Sequence, residues 1–421
     1  MREMKDSGVQ WLGMLPKSWD LDKIVSLYSE RSTKVSDKDY PALSVTKQGI
    51  VPQLESAAKT DNGDNRKLIK KNDFVINSRS DRRGSCGISE YEGSCSLINT
   101  VLAPKNNMVN RYYNYLFKTE LFADEFYKWG NGIVDDLWST KWSNMKNIMV
   151  PFPDLEEQQA IADYLDTKCT QIDTIISKEQ SVIEKLQEYR QSIITEAVTK
   201  GLDPNIDMIE SDISWIKTIP VTWKVSKLKY VVAFSPKCDF TDIEPDTEVT
   251  YTPMEYIKKG NYIPNSEAIG KLSTSLTKYE EGDIVIAKVT PCFENGNIAI
   301  MNNLKSGKGL GSSELFVFRV PEAIRKFVYY WMQNKLFIEQ CVATMTGTGG
   351  LKRVSSYYIS NSEILLPPSE IVDDICNYLD EKCELIERTI YQKELVINKL
   401  TEYKQSLIYE VVTGKKEVSH V

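Results

Sequence analysis

The stretch DYLDTKC at residues 163–169 returns as NYLDEKC at 377–383, and around it residues 161–199 align without a gap to 375–413, with 20 of 39 identical. The repeated segment has the spacing of a long helix. Leu165, Cys169, Ile172, Ile176, Ile183, Leu186 and Ile193 fall on alternating d and a positions of a heptad. Leu379, Cys383, Ile386, Ile390, Ile397, Leu400 and Leu407 do the same in the second copy. A stripe kept over about four heptads indicates a coiled coil rather than the surface helix of a globule. Each helix starts after a proline and a capping residue, Pro153-Asp154 and Pro368-Ser369, and the first stops at Gly201 and Pro204. Glu179 and Lys393 hold equivalent d positions in mid-stripe; if the helices lie antiparallel, these opposite charges fall at similar heights and favour pairing the two different helices over pairing two copies of either, the alternative being two solvated charges at a frayed seam.

A second repeated element lies upstream of each helix. WLGMLPKSW at 11–19 matches WIKTIPVTW at 215–223, and the exits VPFPDLEEQQ (150–159) and LLPPSEIVDD (365–374) lead into the helices. Repeats of this size define the architecture before any local detail does. The chain divides into a first globular domain (1–153), a central helix (154–201), a second globular domain (202–367), a C-terminal helix (368–415) and a tail (416–421). The expected fold class is α+β: two α/β domains in tandem duplication, separated by two long helices that pair as an antiparallel coiled coil. NDFVIN (72–77), GDIVIAK (282–288) and ELFVFRV (314–320) predict strands; RYYNYLFKTELFADEFYKW (111–129) and RKFVYYWMQNKLFIEQCV (325–342) predict amphipathic helices with a core-facing aromatic stripe.

Composition removes several function classes. There is one histidine, His420, so histidine-based nucleophilic, acid–base and metal chemistry lack their main residue. The eight cysteines form no C-x-x-C pair and read as free thiols. No apolar run is long enough for a membrane helix, and the N-terminus has no apolar core of a signal peptide, which predicts a cytoplasmic protein. SGKGLGSS (306–313) fails the phosphate-loop pattern, because Asn302 stands where its first glycine belongs and Gly309 where its hydroxyl belongs. With no nucleotide fingerprint and no metal-dependent nuclease cluster, a binding protein is favoured over an enzyme.

The net charge is −7, but charge is segregated. Residues 1–150 hold 22 Lys/Arg against 19 Asp/Glu and residues 301–353 hold eight against three, whereas 151–200 hold five against ten. Local patches decide attraction to phosphate, because screening confines fields to about 8–10 Å. The candidate DNA-binding residues are Lys47, Arg79, Arg82 and Arg83 in the first domain and Lys288, Lys308, Lys352 and Arg353 in the second. They lie in polar loops with serine and glycine, and arginine can pair bidentately with guanine while lysine and hydroxyls hold phosphates.

The order of these elements, twice, resembles the specificity subunit of type I restriction–modification systems. The resemblance rests on SGVQWLGMLPKSW and its echo SWIKTIPVTW, the P-x-x-x-E-Q-Q-x-I exit at 153–161, and the I-x-x-L-x-x-Y-x-x-S-I-I-x-x-x-V-T-x-G helix end at 183–201. The second exit, PSEIVDDI, departs by lacking the glutamines. The resemblance implies two target recognition domains, each reading half of a bipartite DNA site, with the helix pair setting the gap. It implies no catalysis in this chain and no cofactor on it. Two methyltransferase subunits and the restriction (translocase) subunits would be the partners, and S-adenosylmethionine, ATP and Mg would sit on them. The alternatives are a stand-alone nuclease or methyltransferase, or a coiled-coil scaffold without DNA preference.

Overall fold

The computed structural model describes residues 2–54, 63–132, 138–348 and 350–418; His420 lies outside them. The chain forms two compact units, residues 1–179 with 394–421 and residues 180–393. Each unit holds one globular part and a portion of each long helix.

In the first unit the leading motif forms a hairpin, Met4–Asp6 against Met14–Pro16, and Asp20–Lys23 pairs antiparallel with the exit strand Met149–Phe152. The central sheet contains β1 (Tyr28–Glu30), β2 (Phe74–Asn77), β3 (Cys86–Ile88) and β4 (Asn99–Pro104), in the order β3-β2-β4-β1. Helices α1 (Asn110–Phe117) and α2 (Glu120–Lys128) follow, then the long helix α3 (Leu155–Lys200). The second unit repeats the plan. Met208–Glu210 pairs with Thr218–Pro220, and Lys224–Lys227 pairs with Glu363–Leu366. Its sheet contains β5 (Ala233–Phe234), β6 (Ile284–Ala287), β7 (Ile298–Ile300) and β8 (Leu315–Arg319), in the order β7-β6-β8-β5. Helices α4 (Glu322–Trp331) and α5 (Lys335–Ala343) come next, and the long helix α6 (Ser369–Val412) closes the repeat. Strand for strand, the sheet orders match, so the duplication seen at the helices extends through the globular parts. The units differ in their side sheets: the second has a four-stranded sheet of Glu248–Thr252, Ser266–Ala268, Thr277–Glu280 and Lys308–Gly311.

The segments 111–129 and 325–342 are not single helices. Thr119 accepts a hydrogen bond from the Phe122 amide at 3.3 Å, and Asn334 accepts one from Phe337 at 2.9 Å. A side chain that satisfies an orphan amide in this way starts a new helix. The aromatic stripe is core, as its spacing indicates: Tyr112, Tyr113, Phe117, Phe122 and Phe126 are buried in the first unit, and Phe327, Trp331 and Phe337 in the second.

Both long helices pair antiparallel. In the first unit Arg2 reaches Glu157 at 2.6 Å and Glu417 at 3.8 Å, and further along the pair Lys404 reaches Asp173 at 2.6 Å. Moving up one helix therefore moves down the other. In the second unit Arg190 faces Glu387 at 3.4 Å. Of the seam positions, Leu165, Ile172, Leu379 and Ile386 are buried, and Ile176, Ile183, Leu186, Ile390, Ile397 and Leu400 are partly buried, as are Glu179 and Lys393. The buried positions share clusters with the domains: Leu165 and Ile172 with Trp11, Trp19 and Leu407, and Leu379 with Trp223 and Ile194.

At the first helix start the Asp154 carboxylate accepts from the Glu157 amide at 2.7 Å. Gln158, fully buried, donates to Pro153 O at 2.7 Å and accepts from the Val109 amide at 2.8 Å. Its counterpart in the second copy is Val372, also buried, so an apolar contact replaces a polar bridge where the glutamines are missing.

Candidate nucleic-acid interface

In each unit the loop that leaves the second-sequence sheet strand meets the loop that follows the helix pair. Arg79, just past β2, bridges Ser139, and Asn131 bridges the same serine. Val289, just past β6, bridges Arg353, and Thr346 bridges the same arginine. The two three-stranded corners superpose in sequence order, but their side chains differ. At the bridging positions the basic residue, Arg79, is on the post-strand loop in the first unit, and the basic residue, Arg353, is on the post-helix loop in the second.

Around the first corner is a cleft of about 730 Å³, lined by Lys67, Arg79, Leu97, Ile98, Lys141, Trp142 and Lys146 among others. Arg79 and Arg82 both face Asp81, at 3.0 and 3.7 Å, and Arg83 pairs with Asp124. Arg82 is the most exposed of the three, at 68% of its side-chain surface. Lys47 sits exposed at the tip of the hairpin Leu43–Thr46/Gly49–Pro52. That hairpin lies on β3: a Cβ on Gly87 would come within 3.1 Å of Gly49 Cα, and Gly49 itself has φ +130°. The backbone conformation at Gly49 favours glycine, a side chain at Gly87 would press on it, and the close approach brings the hairpin against the strand that follows the arginine loop.

Around the second corner Arg353 makes a bidentate pair with Glu314 at 2.9 and 2.8 Å. This contact holds the Glu314 carboxyl below its usual range. Lys288 donates to Ser313 O at 2.7 Å and lies 5.0 Å from the Phe316 ring centre; partial burial lowers its pKa. Lys352 is exposed, and its backbone amide and carbonyl are both bonded to Thr290 at 3.0 Å. The structure thus gathers Lys288, Lys352 and Arg353. Lys308 is elsewhere, on the side sheet, where it bonds Asp239 O and lies 5.5 Å from the Phe240 ring. The glycines beside it have a packing reason: a Cβ at Gly309 would collide with the buried Tyr279 ring.

Sequence reasoning missed Ser139, Lys141, Trp142, Lys146 and Lys67, together with the counter-charges Asp81, Asp124 and Glu314. Ser139 was reachable, since the 214-residue offset of the repeat places it opposite Arg353. All eight cysteines are free thiols, six of them buried. Among the described residues no His, Cys, Asp or Glu cluster is arranged to hold a metal ion, and no helix is long and apolar enough to cross a membrane.

Residues 27–185 match the type I restriction modification DNA specificity domain. The MjaIX specificity subunit of a type I restriction enzyme from Methanocaldococcus jannaschii is 22% identical over 97% of this chain and 96% of its own length. This chain is thus similar to type I restriction enzyme specificity subunits. The EcoAI specificity subunit of Escherichia coli is 34% identical over 155 residues, 36% of this chain and 26% of that protein. The EcoEI subunit is 26% identical over 45% of this chain and 32% of its own length. The chain thus spans a quarter to a third of these two relatives. Among solved structures, a chain from a type I R-M system studied for complex assembly and conformational transition shares the fold at a TM-score of 0.70, with 12% identity, 96% of this chain and 99% of that one covered.

Proposed function

We propose that this chain is the specificity subunit of a type I restriction–modification complex, that it reads a bipartite DNA site, one half with each globular part, and that the helix pair sets the unspecified gap between the halves. The observation that carries this is the corner built twice, Arg79–Ser139 and Val289–Arg353, on one backbone plan with different side chains. Equivalent frames with unlike donors are what two different half-sites require. The basic and hydroxyl residues around the corners supply both kinds of contact: lysines for phosphates, arginine for base edges. At 46 and 44 residues, the helices are about 66–69 Å long at 1.5 Å per residue. That length suits readers placed on successive turns of B-DNA, about 34–36 Å apart.

In this reading the chain is non-catalytic and cytoplasmic. Methyltransferase subunits dock on it to modify an adenine in each half-site, and restriction subunits complete the complex. S-adenosylmethionine, ATP and Mg belong to those partners. Selection of bound duplexes from a randomised DNA pool by the purified complex of this chain with its methyltransferase tests the reading. Enrichment of two short motifs at one fixed separation supports it, and enrichment of a single continuous motif, or of none, refutes it.

A further inference from the structure

The repeated DYLDTKC/NYLDEKC stretch contains an aspartate that the seam does not use. Asp166 accepts a hydrogen bond from the Tyr115 hydroxyl at 2.7 Å and pairs with Arg111, which also reaches Asp163 at 2.7 Å. In the second unit Asp380 accepts from the Tyr330 hydroxyl at 2.6 Å and from Lys326 at 2.6 Å. The geometry is the same in both: a cation and a tyrosine four residues apart on the first helix after the sheet, closing on one aspartate of the long helix.

We propose that these two clasps are positioning devices that fix each reader's rotation about the long helix, and so determine how sharply the complex discriminates gap lengths. The proposal rests on the bipartite reading above. The apolar contacts that join α1 to α3 and α4 to α6 are non-directional, so they hold the elements together without setting an angle. Hydrogen bonds with a charged acceptor are short and directional. The ion pairs themselves are half-exposed, with side-chain exposures of 45% for Arg111 and 56% for Lys326. Pairs in such surroundings contribute little to stability. A contact whose ion pair adds little stability, whose hydrogen bonds are directional, and which is built twice on the same two elements fits a role in orientation.

The test uses the full chain with its methyltransferase partner, and duplexes that carry both half-sites with the gap changed by one or two base pairs. Wild type should favour one gap strongly. The double variant Asp166→Asn/Asp380→Asn should cut that preference at least threefold while keeping the half-site sequences unchanged. Tyr115→Phe/Tyr330→Phe, which removes only the hydroxyls, should act in the same direction, and Asp→Glu at both sites should restore part of the preference. Unchanged gap preference in variants that fold, or equal loss of binding at every gap, overturns the clasp. If wild type itself prefers no split site, the bipartite reading fails, and the clasp with it.

Discussion

At the scale of single residues, exposure and counter-charge rank the candidates. Arg82 is free enough to reach a base edge, since its nearest carboxylate is 3.7 Å away and most of its side chain is in solvent. Arg82→Ala should weaken binding to sites carrying the correct first half-site by roughly five- to a hundredfold, and leave discrimination in the other half intact. Competition binding with each half-site scrambled in turn checks this; equal loss on all DNA would make Arg82 a phosphate contact. Arg353 is a different case. Its bidentate pair with Glu314 presents a preformed donor edge, but the carboxylate must be shared or displaced when a base arrives. Gly309 is structural. Gly309→Ala forces a methyl into the Tyr279 ring and should destabilise the second unit by about 1–3 kcal/mol, read as a lower denaturant midpoint.

At the scale of elements, the helices and strands were legible because their periods are strong. The heptad stripe through Leu165, Ile172, Leu379 and Ile386 gave both long helices and their buried seam. Two kinds of feature were not legible. Thr119 and Asn334 split the predicted amphipathic helices, because a cap is a local hydrogen bond that a hydrophobic pattern does not register. The corner partners Ser139 and Glu314 come from loops far along the chain, and a polar residue's neighbour across such a distance leaves no trace in spacing. Chemistry and loop position single out Arg79, Lys352 and Arg353, which lie at the corners, and equally Lys308, which packs on the side sheet. For the long helices, inserting one heptad after Glu179 and one after Lys393 adds about 10 Å to each rod. The preferred gap should grow by roughly three base pairs, at 3.4 Å per step. Binding selection on variable-gap duplexes measures it, and an unchanged gap removes the helices from gap setting.

At the scale of the whole molecule, the duplication explains why one sequence carries the same helix twice. Two copies of one backbone plan give a single chain two equivalent frames, and in the proposed reading unlike loops let the frames read different bases. Charge follows the same division. The acidic excess lies along residues 151–200, while basic side chains gather at the corners, so the chain offers local positive patches although as a whole it is negative. The claim that matters most is the split site. Sequencing adenine methylation in genomic DNA of the native host, with and without this gene, tests it most directly. Loss of one motif made of two short halves at a fixed gap is the expected result on deletion; loss of a continuous motif, or a methylation pattern unchanged in a host that expresses the intact system, would contradict it.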